Sequence, residues 1–184
     1  MKKIIFVFIL FFSSFCQASD LHQEIYHKIN HIRKSHNLPL LVLNAKLDMA
    51  AKSQSDWMAE VRRMDHLREK PSSFEAYKTC NHHPANRMIN AGYFNFEDIF
   101  DVEIQVNGAF VKPKPGANLK VNEIIAAGKA PGHLAYNTDI IVQGWMKSPG
   151  HRKTILSSCY EEFGIGISSR NPGEVYWCVV FGSK

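Results

Sequence analysis

The sequence has no block of like charge, no internal repeat and, beyond its first twelve residues, no long apolar run. Each absence excludes something. Lysine and arginine exceed aspartate and glutamate by only 22 to 17, and both signs are mixed along the chain. With no basic block interleaved with aromatics, a pI near 9.0 does not point to a nucleic-acid partner. No phosphate loop and no dinucleotide fingerprint occurs. Ser148 stands before Pro149 and lacks the Gly-x-Ser-x-Gly turn of a serine hydrolase. The four cysteines fit no zinc-finger spacing, and none carries the local signature of a reactive thiol.

What is present begins with an address. Lys2 and Lys3 precede the apolar run Ile4 to Phe12, and Cys16 and Ala18 stand at the third and first positions before a cut ahead of Ser19. That is the layout of a secretory signal peptide over residues 1–18, its apolar run far short of the roughly twenty residues of a membrane span. The bulky Phe15 before Cys16 argues against a lipoprotein signal. The expected location is the periplasm or outside the cell. Losing eighteen of 184 residues leaves 166, enough for one buried core, and losing Lys2 and Lys3 lowers the net charge from +5 to +3. Cys80, Cys159 and Cys178 remain; an oxidising compartment permits a disulfide, all three pairings stay open, and the odd count leaves a thiol over or pairs it between chains.

Periodicity then predicts the elements. Asp20, with Gln23 three residues on, reads as the cap of a helix with Leu21, Ile25, Ile29 and Ile32 on one face, ending before Asn37-Leu38-Pro39. Asn44 caps a second helix along Leu47, Ala50, Ala51, Gln54, Met58 and Val61, which runs to Met64-Asp65-His66. A short helix fits between Pro84 and Gly92. Phe100, Val102, Ile104 and Val106 alternate with polar residues as in a half-buried strand, and Asn107-Gly108 predicts a hairpin turn before Ala109 to Val111 returns. Thr138 reads as the cap of a helix with Ile141, Val142, Trp145 and Met146, followed by a short turn from Pro149 to Leu156. Phe163–Ser169 and Val175–Phe181 read as strands joined around Asn171-Pro172-Gly173. Helices that precede and interrupt a few antiparallel strands make the class α+β.

Four segments together resemble the CAP superfamily of cysteine-rich secretory proteins, antigen 5 and pathogenesis-related proteins. They are Asn30-x-x-Arg33 with Leu38-Pro39-Leu40 and Leu43-Asn44-x-x-Leu47; Met58 through Met64-Asp65-His66; Asn122-Glu123-Ile124-Ile125-Ala126-Ala127-Gly128; and Gly144-Trp145-Met146-Lys147-Ser148-Pro149-Gly150-His151-Arg152. The last continues into Ile155-Leu156, Gly164-Ile165-Gly166, Tyr176-Trp177 and Phe181-Gly182, and its Ser-Pro-Gly-His-Arg run is similar to a bacterial subgroup. The likeness spans the mature chain, 19–184, except roughly 93–121. A rival alignment uses Glu97, but it leaves 48 residues to Trp145 against 22 from Glu123. Glu123 is preferred, which makes 93–121 an insertion carrying a β-hairpin.

The resemblance implies a three-layer α-β-α sandwich with a short antiparallel sheet and a central cleft. The family's cleft residues map onto His66, Glu123 and His151. Two imidazoles and a carboxylate are a donor set for zinc or another divalent metal with one position left for water. The second glutamate that eukaryotic relatives carry three residues after the tryptophan is here Ser148. Bland readings stand beside these: His66 as a cation at a helix C-terminus, His151 as a bridge from helix to sheet, and Glu123 as a buried acid that must be paired with something. Glu161 and Glu162 are expected to face solvent. The histidines at 22, 27, 31, 36, 82, 83 and 133 are assigned no role, and His82-His83 beside Cys80 reads as polar loop.

Three functions are compatible with this reading. The resemblance implies first a non-enzymatic binding module for a lipid, a sterol or an envelope component, with a divalent metal in the cleft. The second is a metal-assisted hydrolase of peptides or cell-wall material, weakened by the missing acid. The third is an adhesion protein that offers the strip Val102, Ile104, Val106 and Val111 on the inserted hairpin.

Overall fold

In chain order the elements are α1 (Phe8–Ser35), β1 (Val42–Leu43), α2 (Ala45–Val61), α3 (Pro84–Asn90), α4 (Phe96–Ile99), β2 (Phe100–Gln105), β3 (Gly108–Pro113), β4 (Lys120–Lys129), α5 (Thr138–Lys147), α6 (Pro149–Ile155), β5 (Glu162–Asn171) and β6 (Glu174–Ser183). This computed structural model describes residues 8–69, 81–105, 108–114, 120–131 and 135–183, with side chains described throughout except at 8–19, 99–105 and 108–113. The main sheet has the order β1-β5-β6-β4. β5–β6 and β6–β4 are antiparallel, and β1 joins the edge in parallel through Val42↔Glu162 and Leu43↔Phe163.

β6 is buried along its whole length because helices cover both faces of the sheet. Val175, Trp177, Val179 and Phe181 project to one face, where they meet Ile25 and Ile29 of α1, Val142 and Trp145 of α5 and Ile155 of α6. Tyr176, Cys178 and Val180 project to the other, against Leu47, Ala51 and Met58 of α2 and Met88 of α3. The result is the α-β-α sandwich, with two apolar cores separated by one sheet. Trp145 also ties α5 to edge strand β4, its indole N–H donating to the Ile125 carbonyl at 3.1 Å.

Two glycines set how closely α2 lies on the sheet. A Cβ at Gly164 would stand 2.0 Å from the Leu47 carbonyl carbon, and one at Gly166 would stand 2.2 Å from that of Ala51. Helix backbone therefore rests directly on strand backbone. Beside the β1 edge of the sheet, Asn30 accepts from Leu41 N and donates to Leu41 O, both at 2.9 Å. Arg33, fully buried, donates to the carbonyls of Pro39 (2.9 Å), Ile155 and Ser157 (both 2.8 Å). A cation thereby meets the free carbonyls at the end of α6, and the Asn-x-x-Arg spacing joins α1, the β1 approach and α6.

The structure amends several local expectations. α1 runs on from Phe8 through Asp20, so Asp20 is inside the helix and caps nothing. α2 stops at Val61, short of His66, because Arg62 takes a left-handed conformation (φ 53°) and closes the helix on the Met58 carbonyl. The cap of α5 is Asn137, which accepts from Asp139 N and Ile140 N; Thr138 is the first helical residue and donates instead to Glu24 (2.6 Å). Gln105 pairs with Gly108, so Gly108 opens β3 and is not part of the turn; residues 106 and 107 lie outside the described residues. The hairpin β2–β3 forms its own two-stranded sheet. Glu162 is held by Asn44 (2.9 Å) and Tyr93 (2.6 Å) and is half-buried, not solvent-facing. Cys159 is exposed and Cys178 buried, both as free thiols, while Cys80 lies outside the described residues.

The glycine contacts carry a test. Gly166→Ala and Gly164→Ala each force helix from strand, and overpacking of this kind costs about 3 kcal/mol, a fall of roughly 6–12 °C in melting temperature for a chain of this size. Gly144→Ala, where nothing lies within 4 Å, raises stability by about 0.5–1 kcal/mol through helix propensity. Thermal melts followed by circular dichroism check all three.

Candidate functional site

The cleft starts where α2 ends. Gln54, wholly buried on α2, donates to the Asp65 carbonyl (2.6 Å) and accepts from Arg68 Nε (3.0 Å). One buried amide thus grips the chain on both sides of His66. Arg68 is held further by Ser53 Oγ (2.9 Å), and its guanidinium lies 5.5 Å over the Trp57 ring. His82 Nδ1 meets the Arg68 carbonyl, and His83 caps α3 by accepting from Ala85 N (3.2 Å).

Glu123 lies on β4, on the sheet face that carries Ile125 and Cys178, and is 5% exposed. An ionised carboxylate there needs partners, and among the described residues it has three. His66 Nδ1 lies 3.0 Å from Oε1, Arg87 Nη2 donates to Oε2 at 2.6 Å, and the Cys178 thiol donates to Oε2 at 3.5 Å. Burial pushes the carboxyl pKa up, but the His66 hydrogen bond and the Arg87 charge outweigh it and leave it below the usual carboxylate value. Burial, followed by the Glu123 charge, raises the Cys178 thiol well above its ordinary value, so it stays protonated and donates.

Arg87 does more than neutralise. Its Nη2 also donates to the His66 carbonyl (3.2 Å), and its Nη1 to the carbonyls of Asn81 (3.0 Å) and His82 (3.3 Å). The residue is 1% exposed. Sequence reasoning passed it over, because an arginine on a short polar helix reads as surface; only the missing acid partner on that helix could have drawn attention to it.

His151 occupies the first turn of α6, half-buried. Burial, and then the charge of His66, lower its pKa. Of the three residues read from the sequence, the structure brings His66 and Glu123 into contact, and among the described residues no hydrogen bond or ion pair ties His151 to either. Glu97, the rival acid, is exposed on α4. Ser148 ends α5 and begins α6 with no side-chain cap, so no acid enters from that position. Among the described residues no three His, Cys, Asp or Glu side chains form a ready metal-binding group.

As donors the imidazoles fit a metal better than the acid does. His66 turns Nδ1 to the carboxylate, so Nε2 is the ring nitrogen left for another ligand. Glu123 would have to give up Arg87 or His66 to become a ligand, and its place is behind His66 as an orienting carboxylate.

A second concavity, about 730 Å³, runs between α1 and α5. Its apolar wall includes Tyr26, Ile32, Leu40 and Val142, and His27, His31 and Lys34 follow one another along the α1 side. Lys28 is tied to Asp139 across it.

The buried pair makes a prediction. Glu123→Gln leaves the Arg87 guanidinium buried without a counter-charge, a loss of about 3–5 kcal/mol, measurable by urea unfolding at pH 7. Because folding lowers the Glu123 pKa, its contribution is complete above the unfolded carboxylate value and disappears as pH falls through the lower folded value. The wild type should therefore lose stability below about pH 4 with a steeper slope than Glu123→Gln.

Comparison with known proteins agrees with this architecture. The chain is similar in structure to an outer surface protein of Borrelia burgdorferi, at TM-score 0.61 and 18% identity over 90% of this chain and 93% of that one. It is similar to an extracellular SCP-domain protein of Bacillus anthracis (TM-score 0.58, 22% identity, 90% and 41%) and to a cysteine-rich secretory protein of Staphylococcus aureus (0.53, 16%, 90% and 39%). It spans about two-fifths of the latter two. No curated protein matches it in sequence. The sequence profile of the cysteine-rich secretory protein family matches residues 26–181, most of the chain, and the protein belongs to that family, the CAP family.

Proposed function

We propose that this is an exported binding domain that takes a lipid or another envelope component, with the acyl portion in the groove between α1 and α5. The observation that carries the reading is the groove itself, an apolar wall of adequate volume beside cationic and histidine side chains, suited to an amphiphile with an acidic head. Leu40, one of the lining residues, is 53% exposed and so available to an apolar ligand. Export is supported by the leader layout and by the surface and extracellular character of the structural relatives. Among the described residues no helix is long and apolar enough to cross a membrane. A hydrolytic role has less support: Glu123, held ionised by Arg87, is a poor general base near neutral pH.

Titration of the mature protein with a fluorescent fatty acid tests the groove. Saturable binding is expected, displaced by an unlabelled long-chain acid, and weakened about tenfold, or 1.4 kcal/mol, by Leu40→Asp and by Lys34→Glu. Absence of a saturable signal from fatty acid, sterol or phospholipid alike sinks the reading.

One observation favours a metal in the cleft as well. The carboxylate–histidine contact at 3.0 Å is the support that metal-bound imidazoles ordinarily have. In this reading His66 and His151 hold zinc or another divalent cation and Glu123 orients His66. The ion would supply a Lewis-acidic point for an oxygen of the bound component. Isothermal titration should show one zinc per chain in the wild type and none in His66→Ala or His151→Ala, both of which should keep the wild-type far-ultraviolet circular dichroism.

A further inference from the structure

The main sheet has one side that its own strands do not finish. β1 pairs with β5 only at Glu162 and Phe163, and among the described residues no strand lies outside β5 from Gly164 onward. In an antiparallel pair, successive residues turn their N–H and C=O alternately toward the partner and away from it. On β5 the outward set is identified by its existing bonds. The Glu161 and Phe163 carbonyls accept from Val42 N and Asn44 N, both at 3.0 Å, and Ile165 N–H donates to Asp48 Oδ1 at 2.8 Å. The alternation then adds Ile167. The Ile165 carbonyl and both main-chain groups of Ile167 therefore point out of the sheet edge, with no strand among the described residues to receive them.

This edge is recessed. α2 rests on β5 at Gly164 and Gly166, and α1 covers the opposite face of the same strand. A further concavity of about 810 Å³ reaches Ile165 between His22 of α1 and the outer side of α2. The recess decides among occupants. A second copy would have to bring its own β5, which lies equally deep between its own helices. A helix has its main-chain groups already paired and offers none to a ladder. A single extended peptide can enter and continue the line of β1.

The wall of α2 states what side chains that peptide should carry. Alternate residues of an added strand face α2, whose groove side carries Asp48, Asp56 and Glu60. Asp48 is occupied by His22 and the Ile165 amide, and Lys52 by Asp56 at 2.5 Å. Arg68 is turned inward to Gln54 and Ser53. Glu60 has only Arg170, at 3.9 Å. The charge left for a partner at this rim is negative, beside the exposed Met49.

We propose that the free edge of β5 docks an extended, cationic peptide segment of another protein. The segment adds to the sheet as a strand in line with β1, pairs with the main chain of Ile165 and Ile167, and turns lysine or arginine side chains toward Asp56 and Glu60. The site is separate from the α1–α5 groove and from Glu123, and it stands whether or not a lipid binds.

The test uses the mature chain, 19–184, and a fluorescein-labelled octapeptide of alternating lysine and valine. Fluorescence anisotropy reads affinity, and amide hydrogen exchange reads the place of binding. Saturable micromolar binding is expected although the protein itself is cationic, and the Ile167 amide should become protected. Glu60→Lys changes a side chain that is 71% exposed, so the fold is retained, and it should weaken binding about 3–10-fold. The same peptide N-methylated at its central amides should not bind, because it cannot complete the ladder. A glutamate–valine octapeptide should bind more weakly than the lysine one. The proposal is overturned by a lysine–valine peptide that gives no saturable signal, or by N-methylated or glutamate peptides that bind as tightly. An Ile167 amide whose exchange is unchanged at saturation overturns it equally. So does a concentration-dependent dimer that protects this amide without peptide, since the occupant is then a second copy.

Discussion

A carboxylate that is taken out of water must bring its counter-charge with it, and in this protein that requirement organises the cleft. Glu123 lies on an edge strand whose same-face neighbours are Ile125 and, on the paired strand, Val180 opposite it and Cys178 diagonally. Left alone it would be protonated or would expel itself from the core. Arg87 prevents both, and to reach the acid it needs α3 laid against β4 with the Asn81–His82 carbonyls turned inward to accept its remaining donors. The same guanidinium takes the His66 carbonyl, so the segment after α2 is drawn to the same point. Ion pair, helix position and histidine orientation form one linked arrangement.

The frame that holds this arrangement comes from a different kind of economy. β6 uses both of its faces, so a chain of this length can support helices on two sides of only four strands. Gly164 and Gly166 bring α2 down to backbone contact, and that close approach delivers the end of α2, with Gln54, to the edge of the cleft. On the opposite face α1 and α5 diverge enough to leave the groove, and Arg33 anchors α1 to the end of α6. The groove between α1 and α5 and the buried Glu123 site thus lie among different helices, and a substitution in one should leave the other intact.

Much of this was legible in order and kind. Alternation and capping chemistry placed the helices and the final strand pair closely, because Asn44, Pro84 and Asn171-Pro172-Gly173 are local signals read from a few adjacent residues. The errors share a cause. Asp20 and Thr138 have the right chemistry for a cap, but the neighbouring backbone settled the matter: α1 extends through the first, and Asn137 took the task from the second. Glu162 read as solvent-facing because its partners, Asn44 and Tyr93, are far away in sequence. Arg87 was invisible for the same reason, its acid being 36 positions along the chain.

By itself the sequence determined the class of fold and the family, and it named His66, Glu123 and His151 as candidates for one site, since periodicity, turn residues and the Ser-Pro-Gly-His-Arg run are carried by adjacent positions. Only the tertiary structure decided what those residues do to one another: that Glu123 faces Arg87 and His66, and that α1 and α5 part to form a groove. Charge pairing and desolvation depend on distance in space, and no linear pattern encodes which buried cation a buried carboxylate will meet.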